Sequence, residues 1–134
     1  MTGTVLVVDD SREFLEVARQ LLEEVHPGAT VHTVQSATDA LAFLTRAAPH
    51  DDAPRPAFVV LDFRLPDMTA PELLARLRAM PALAGLPVLV VSQAGWPEDA
   101  RAALAAGASA FVVKPSRASA LRAVLRDFWS RHAQ

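Results

Sequence analysis

Phe58-Val59-Val60-Leu61-Asp62-Phe63-Arg64-Leu65-Pro66-Asp67 is four apolar residues running into an aspartate, with a proline four positions on. The apolar run has no polar alternation, which is the signature of a strand buried on both faces. Pro66 forbids a helix through this point and pushes the residue before it toward extended backbone. Asp62 is therefore expected at the carboxyl end of a buried strand. In an open α/β sheet that edge is where ligand sites are built.

Working outward, the same grammar recurs. Val5 to Val8 is a second apolar run, closed by Asp9-Asp10. Ser11 is placed to cap the next helix, with Glu13 in its first turn. Phe14, Leu15, Val17, Ala18, Leu21, Leu22 and Val25 follow at helical spacing, and Pro27-Gly28 stops that helix. Thr30 to Val34 is β-branched and reads as a strand. Ser36 and Asp39 resemble a capping box before Ala40, Leu41, Phe43 and Leu44. Residues 47–56 hold three prolines, two aspartates and a histidine, the composition of a surface loop. Beyond the central run, Pro71 opens a helix carrying Leu73, Leu74, Leu77 and Met80. Val88 to Val91 is a fourth strand ending at Ser92. Pro97 opens a helix that Gly107 closes. Ala110 to Val113 is a fifth strand ending at Lys114-Pro115, and Ser116 is placed to cap a last helix bearing Leu121, Val124, Leu125 and Phe128.

Strand and helix thus alternate five times. Parallel strands need crossovers, crossovers are right-handed, and helices then cover both faces. The expected fold is α/β, a doubly wound (βα)5 parallel five-stranded sheet of strand order 2-1-3-4-5. Residues 1–134 are expected to form one domain, able to bury roughly two-thirds of its unfolded surface. Apolar residues at 51% and charged residues at 21% place it among globular chains rather than disordered ones. A net charge of -2 offers no electrostatic footprint for nucleic acid. No apolar run approaches the ~20 residues of a membrane span, and the amino terminus is not a signal peptide. With no cysteine, disulfides and thiolate chemistry are excluded, and a cytoplasmic location is expected.

The polar residues fall at matching places. Asp9 and Asp10 follow the first strand, Asp62 ends the third, Ser92 the fourth and Lys114 follows the fifth. In a parallel sheet of this order all five meet at one edge, where the strand order reverses. Clustered carboxylates raise one another's pKa unless a cation neutralises them, and Mg²⁺ suits a site of carboxylates, a carbonyl and waters. Lys114 adds a fixed positive charge, and Ser92 a hydroxyl that can donate to an anionic oxygen. The set is suited to placing a phosphoryl group on a carboxylate nucleophile.

These residues carry a resemblance. Val7-Val8-Asp9-Asp10, Leu61-Asp62 with Leu65-Pro66, Val91-Ser92, and Gly107-Ala108 through Phe111-Val112-Val113-Lys114-Pro115 resemble the response-regulator receiver domain of two-component signalling. The resemblance covers essentially the whole chain. It implies that Asp62 accepts a phosphoryl group from the phosphohistidine of a histidine kinase or histidine phosphotransfer protein. It further implies Mg²⁺ on Asp10, Asp62 and the backbone carbonyl of Arg64, with Asp9 acting largely through water. Ser92 and Lys114 would contact the phosphoryl oxygens, and Phe111 would be the switch aromatic. The Lys114-Pro115 bond is expected to be cis. The output would be a surface of helix four, strand five and helix five, which meets a downstream protein or a second copy of the chain. The chain would stand alone or form part of a longer protein. It would not be an enzyme, beyond losing its own phosphoryl group.

Three positions depart from the family pattern. Thr69-Ala70 replaces the usual polar residue and glycine, so the loop there is expected to be altered. Gln93 follows Ser92 where a small residue is usual, and Arg64 puts a long cation beside the site. Arg64 and Gln93 are expected to modulate loss of the phosphoryl group. Trp96 and Trp129 either pack at the edge of the core or form a contact patch on the output surface. His26, His32, His50 and His132 are scattered without ligand spacing. Two other readings stand beside this one. One is a receiver-like interaction module that works without phosphorylation. The other is an aspartate phosphohydrolase of the haloacid-dehalogenase type, disfavoured because Arg64 stands where those enzymes carry a second aspartate.

Overall fold

A computed structural model describes residues 3–133. Five strands alternate with five helices: β1 Thr4–Val8, α1 Arg12–Val25, β2 Thr30–Val34, α2 Ala37–Thr45, β3 Phe58–Asp62, α3 Ala70–Arg78, β4 Val88–Ser92, α4 Pro97–Ala105, β5 Ala110–Val113 and α5 Ala118–His132. The strands form one parallel sheet in the order β2-β1-β3-β4-β5, as expected.

The pleat divides the strand residues between two apolar layers. Val5, Val7, Phe58, Val60, Leu89 and Val91 meet Leu15, Leu22, Leu121, Leu125 and Phe128 of α1 and α5. Leu6, Val8, Val59, Leu61, Val88 and Val90 meet Phe43, Leu44, Leu73, Leu74 and Leu77 of α2 and α3. Both faces of β3 and β4 are therefore dry, which is why their sequences show no alternation. Helix α4 is the least anchored, with Asp99 and Ala103 as its buried residues.

Register sets the site. Val8 pairs with Leu61, Asp62 with Val91, and Ser92 with Val113. Asp9, Asp62, Ser92 and Lys114 thus line one edge of the sheet. The ladder continues past the strands: Phe63 N–H donates to Val91 O at 2.8 Å and Lys114 N–H to Ser92 O at 2.7 Å.

The loop before α3 departs from the family pattern, and several other local expectations are corrected. Ala70 is buried in the first turn of α3, where its N–H donates to Phe63 O at 2.8 Å. Glu72 accepts from the Thr69 N–H and hydroxyl, so the loop closes with a cap instead of a positive-φ glycine. Helix α5 begins at Ala118 with Arg117 before it, so Ser116 lies too early to cap it. Val17 is 39% exposed, because it falls off the α1 stripe of Leu15, Ala18, Leu21 and Leu22. Among the described residues the cis peptide bond is Ala48-Pro49, so Lys114-Pro115 is trans, contrary to expectation. Trans is the default isomer of an X-Pro bond, and with it Lys114 already reaches the carboxylates.

Candidate functional site

The short turns after β1 and β3 deliver the carboxylates. Asp9 is fully buried; its Oδ1 accepts the Ser11 N–H at 2.9 Å, and Ser11 Oγ accepts the Phe14 N–H at 3.2 Å. One side chain therefore links the strand end to the cap of α1. Asp62 is also buried, while Asp10 is exposed. Lys114 reaches in from the end of β5, its Nζ 2.7 Å from Asp9 Oδ2 and 3.4 Å from Asp62 Oδ1. The same Nζ lies 4.5 Å from the centre of the Phe14 ring, which holds the ammonium from the α1 side.

One lysine does not neutralise three acids. Burial and the neighbouring Asp9 carboxylate push the Asp62 carboxyl up to about 6, against the opposing pull of Lys114. Asp9 Oδ2 is buried and accepts no hydrogen bond, although Lys114 Nζ is close: the contact is one of charge, off the direction a hydrogen bond needs. Asp9, Asp10 and Asp62 each offer a carboxylate oxygen, and these lie within 4.8 Å of one another. A hard divalent cation would relieve the repulsion among these carboxylates and lower the cost of ionising Asp62. The all-oxygen donor set fits Mg²⁺.

These groups open into a cleft of about 240 Å³ whose wall also includes Arg64, Ser92, Gln93 and Asp99. Ser92 is buried, and its Oγ accepts the Ala94 N–H at 3.4 Å. Gln93 is exposed at the rim. Arg64 Nη2 is paired at 3.0 Å with Asp99 Oδ2, and its guanidinium lies 5.0 Å from the Phe63 ring centre. A larger groove of about 570 Å³, lined by Arg12, Arg19, Asp39 and His50, shares no residue with this cleft.

Response regulator receiver domains match this chain over residues 5–126. This chain belongs to the receiver domain family of two-component response regulators. It is 36% identical over 111 residues to a two-component response regulator of Oryza sativa subsp. japonica, covering 83% of this chain and 85% of that protein. It is 31% identical over 119 residues to the cyclic di-GMP phosphodiesterase response regulator RpfG of Xanthomonas campestris pv. campestris, covering 89% of this chain. The chain spans only 30% of that relative's length. The solved structure of the phosphorylated cyanobacterial phytochrome response regulator RcpA superposes with a TM-score of 0.91 at 22% identity, over 100% of this chain and 96% of that one, a likeness of fold.

Receiver domains bind a divalent metal in an acidic pocket and interact with histidine kinases and downstream effectors. In this receiver domain Asp9, Asp10, Asp62, Ser92, Arg64, Gln93 and Lys114 share one cleft. Phe111 is half-buried on β5, 6.2 Å from Phe63 in an edge-to-face contact. Trp96 is 58% exposed beside α4. Trp129 is elsewhere: it stacks on His26 at 4.5 Å and packs edge-on to Phe58, the first residue of β3, at the rim of the core and not in a surface patch. His32 and His50 flank Phe43.

Two contributors were missed. Asp99 reads as an ordinary acid in a helix's first turn, and nothing local reveals its partner Arg64. Asp67 accepts from Ala37 N–H, Thr38 N–H and the Thr38 hydroxyl at 3.0, 2.8 and 2.6 Å, so the β3–α3 loop caps α2 from outside. Its only advance sign was a carboxylate on the loop after the site.

Proposed function

We propose that residues 1–134 form one receiver domain that accepts a phosphoryl group on Asp62 and passes the change to the surface of α4, β5 and α5. The observation that carries this is a buried carboxylate of raised pKa, with two more carboxylates within 4.8 Å and a lysine at 3.4 Å, at the mouth of one cleft. A carboxylate oxygen of Asp62 attacks the phosphorus of a partner's phosphohistidine. The new O–P bond forms as the N–P bond to imidazole breaks, and the imidazole nitrogen recovers its electron pair. Lys114, anchored by Asp9, holds positive charge beside the transferred group. The Ser92 hydroxyl, now accepting from Ala94 N–H, can turn to donate to a phosphoryl oxygen.

Asp10, Asp62 and the carbonyl of Arg64 would hold Mg²⁺, with Asp9 contributing largely through water. The bound ion would neutralise the carboxylates and the charge gathering on the phosphoryl oxygens. Phe111 would turn inward as Ser92 moves. Trp96, Leu104 and Val113, which are 58%, 49% and 46% exposed, mark the output surface where a downstream protein or a second copy would dock. Gln93 and Arg64 would set how fast water removes the group. Among the described residues no helix is long and apolar enough to cross a membrane. We place the domain in the cytoplasm, as a phosphoryl acceptor rather than a turnover enzyme.

The test is incubation with Mg²⁺ and a small acyl phosphate donor, read by intact mass. The parent is expected to gain one phosphoryl group and Asp62→Asn none. A parent that gains none, with rapid hydrolysis controlled by short quench times, would favour a phosphorylation-independent interaction module.

A further inference from the structure

Arg64 and Asp99 join the site loop to α4. Arg64 is two residues from Asp62, its side chain 64% exposed, while the Asp99 side chain is 12% exposed and faces the same cleft. Their 3.0 Å contact is the one ion pair that ties the β3–α3 loop to α4 among the described residues. Helix α4 itself begins without a side-chain cap: Trp96 holds the cap position, and Pro97 has no N–H. Asp99 is the third residue of that helix, where a carboxylate commonly reaches back to the cap N–H. Here it faces Arg64 instead. Asp99 thus stands at a capping position but is paired with Arg64.

We propose that Asp99 is a positioning residue that competes with the phosphoryl group on Asp62 for the Arg64 guanidinium, so that phosphorylation transfers Arg64 and frees Asp99 to cap the first turn of α4. This rests on Asp62 being the phosphoacceptor. Phosphorylation turns a single negative charge into roughly two, with three oxygens that suit a planar guanidinium. The Arg64 side chain is largely exposed, and Arg64, Asp62 and Asp99 line the same cleft. Once it leaves, the buried Asp99 carboxylate is unpaired and turns to the amides that open α4. The weak anchoring of α4, through Asp99 and Ala103, makes that helix the element such a change can move.

The exchange also sets lifetime. Hydrolysis forms an O–P bond from water and breaks the O–P bond to Asp62. It yields the free carboxylate and inorganic phosphate, and the water protons pass to phosphate and solvent. Arg64 seated on the phosphoryl oxygens covers the path of that water. Asp99 draws it away, so Asp99 shortens the signal.

The experiment is a double-mutant cycle on the rate of phosphoryl loss after removal of a small acyl phosphate donor, in parent, Asp99→Asn, Arg64→Ala and the double variant. A half-exposed ion pair supports a change of about five-fold. Asp99→Asn should lengthen the lifetime by about that factor and Arg64→Ala should shorten it. Adding Asp99→Asn to Arg64→Ala should then have no effect. Asp99→Glu, which keeps the charge, should stay near the parent, and Asp99→Ser replaces the Asn variant if the latter does not fold. A purely structural role for Asp99 predicts the same change with or without Arg64, and that result overturns the proposal. So does an Asp99→Asn lifetime equal to the parent's. A parent that never gains a phosphoryl group instead overturns the assignment of Asp62, and the inference falls with it.

Discussion

Replacing Asp62 with asparagine should make the metal-free protein more stable, although it removes the proposed phosphoacceptor. The Asp62 carboxyl is moved from an ordinary 3.8 to about 6 by burial and by Asp9. In the window between those values the folded state binds more protons than the unfolded state, so stability falls as pH rises. The contribution is fully present below 3.8 and lost as pH passes through about 6. Integrated, ionising Asp62 costs the native state at most about 3 kcal/mol at neutral pH. The cleft opens to solvent, so we expect about 2 kcal/mol. The assay is urea unfolding in chelator at several pH values. Asp62→Asn should raise the midpoint by about 1 M near neutral pH. The advantage should shrink to about half near pH 5 and to about a fifth near pH 4. Added Mg²⁺ should stabilise the parent more than the variant, because binding to the native state adds to its stability. A variant less stable than the parent in chelator would refute the electrostatic account, and so would an advantage independent of pH.

Other outcomes follow from the same geometry. Lys114→Met leaves Asp9 buried without a counter-charge and should cost about 3 kcal/mol in chelator, with partial recovery in Mg²⁺, measured by the same unfolding assay. Asp67→Ala removes the external cap of α2 and should cost about 0.5–1 kcal/mol, at the low end for a cap because the group is exposed. The hydrogen bonds from Thr38 and Ala37 hold the Asp67 carboxyl down at about 2, so its contribution is present above 3.8 and fades as pH falls toward 2. Gly107→Ala should cost about 1–2 kcal/mol in thermal unfolding. Gly107 has φ +111°, and a Cβ there would lie 2.8 Å from Arg78 Nε. Arg78 braces Leu83 O, Ala84 O and Gly107 O across the foot of α3.

The fold was legible because its signals are local. Unbroken apolar runs report strands dry on both faces, and prolines and glycines mark where helices start and stop. Strand parity and the reversal of order then bring Asp9, Asp62, Ser92 and Lys114 together without any knowledge of side-chain contacts. The hidden features were pairings between distant positions. Asp67 meets α2 thirty residues back in the chain, and Arg64 meets Asp99 thirty-five residues on. Each carries a solvated, unremarkable residue type. Trp129 was undecided for a related reason: helical spacing does not say which partners a side chain meets, and here they are His26 and Phe58. The trans bond at Pro115 was misjudged because that expectation came from resemblance and not from the residues themselves.

The central claim is that Asp62, and not its neighbours Asp9 and Asp10, takes the phosphoryl group. Trapping the acyl phosphate with borohydride converts the modified aspartate to homoserine, which tandem mass spectrometry of the digested protein can place. The account predicts homoserine at position 62, dependent on Mg²⁺ and strongly reduced in Lys114→Met. Homoserine at position 9 or 10, or conversion unaffected by chelator, would contradict it.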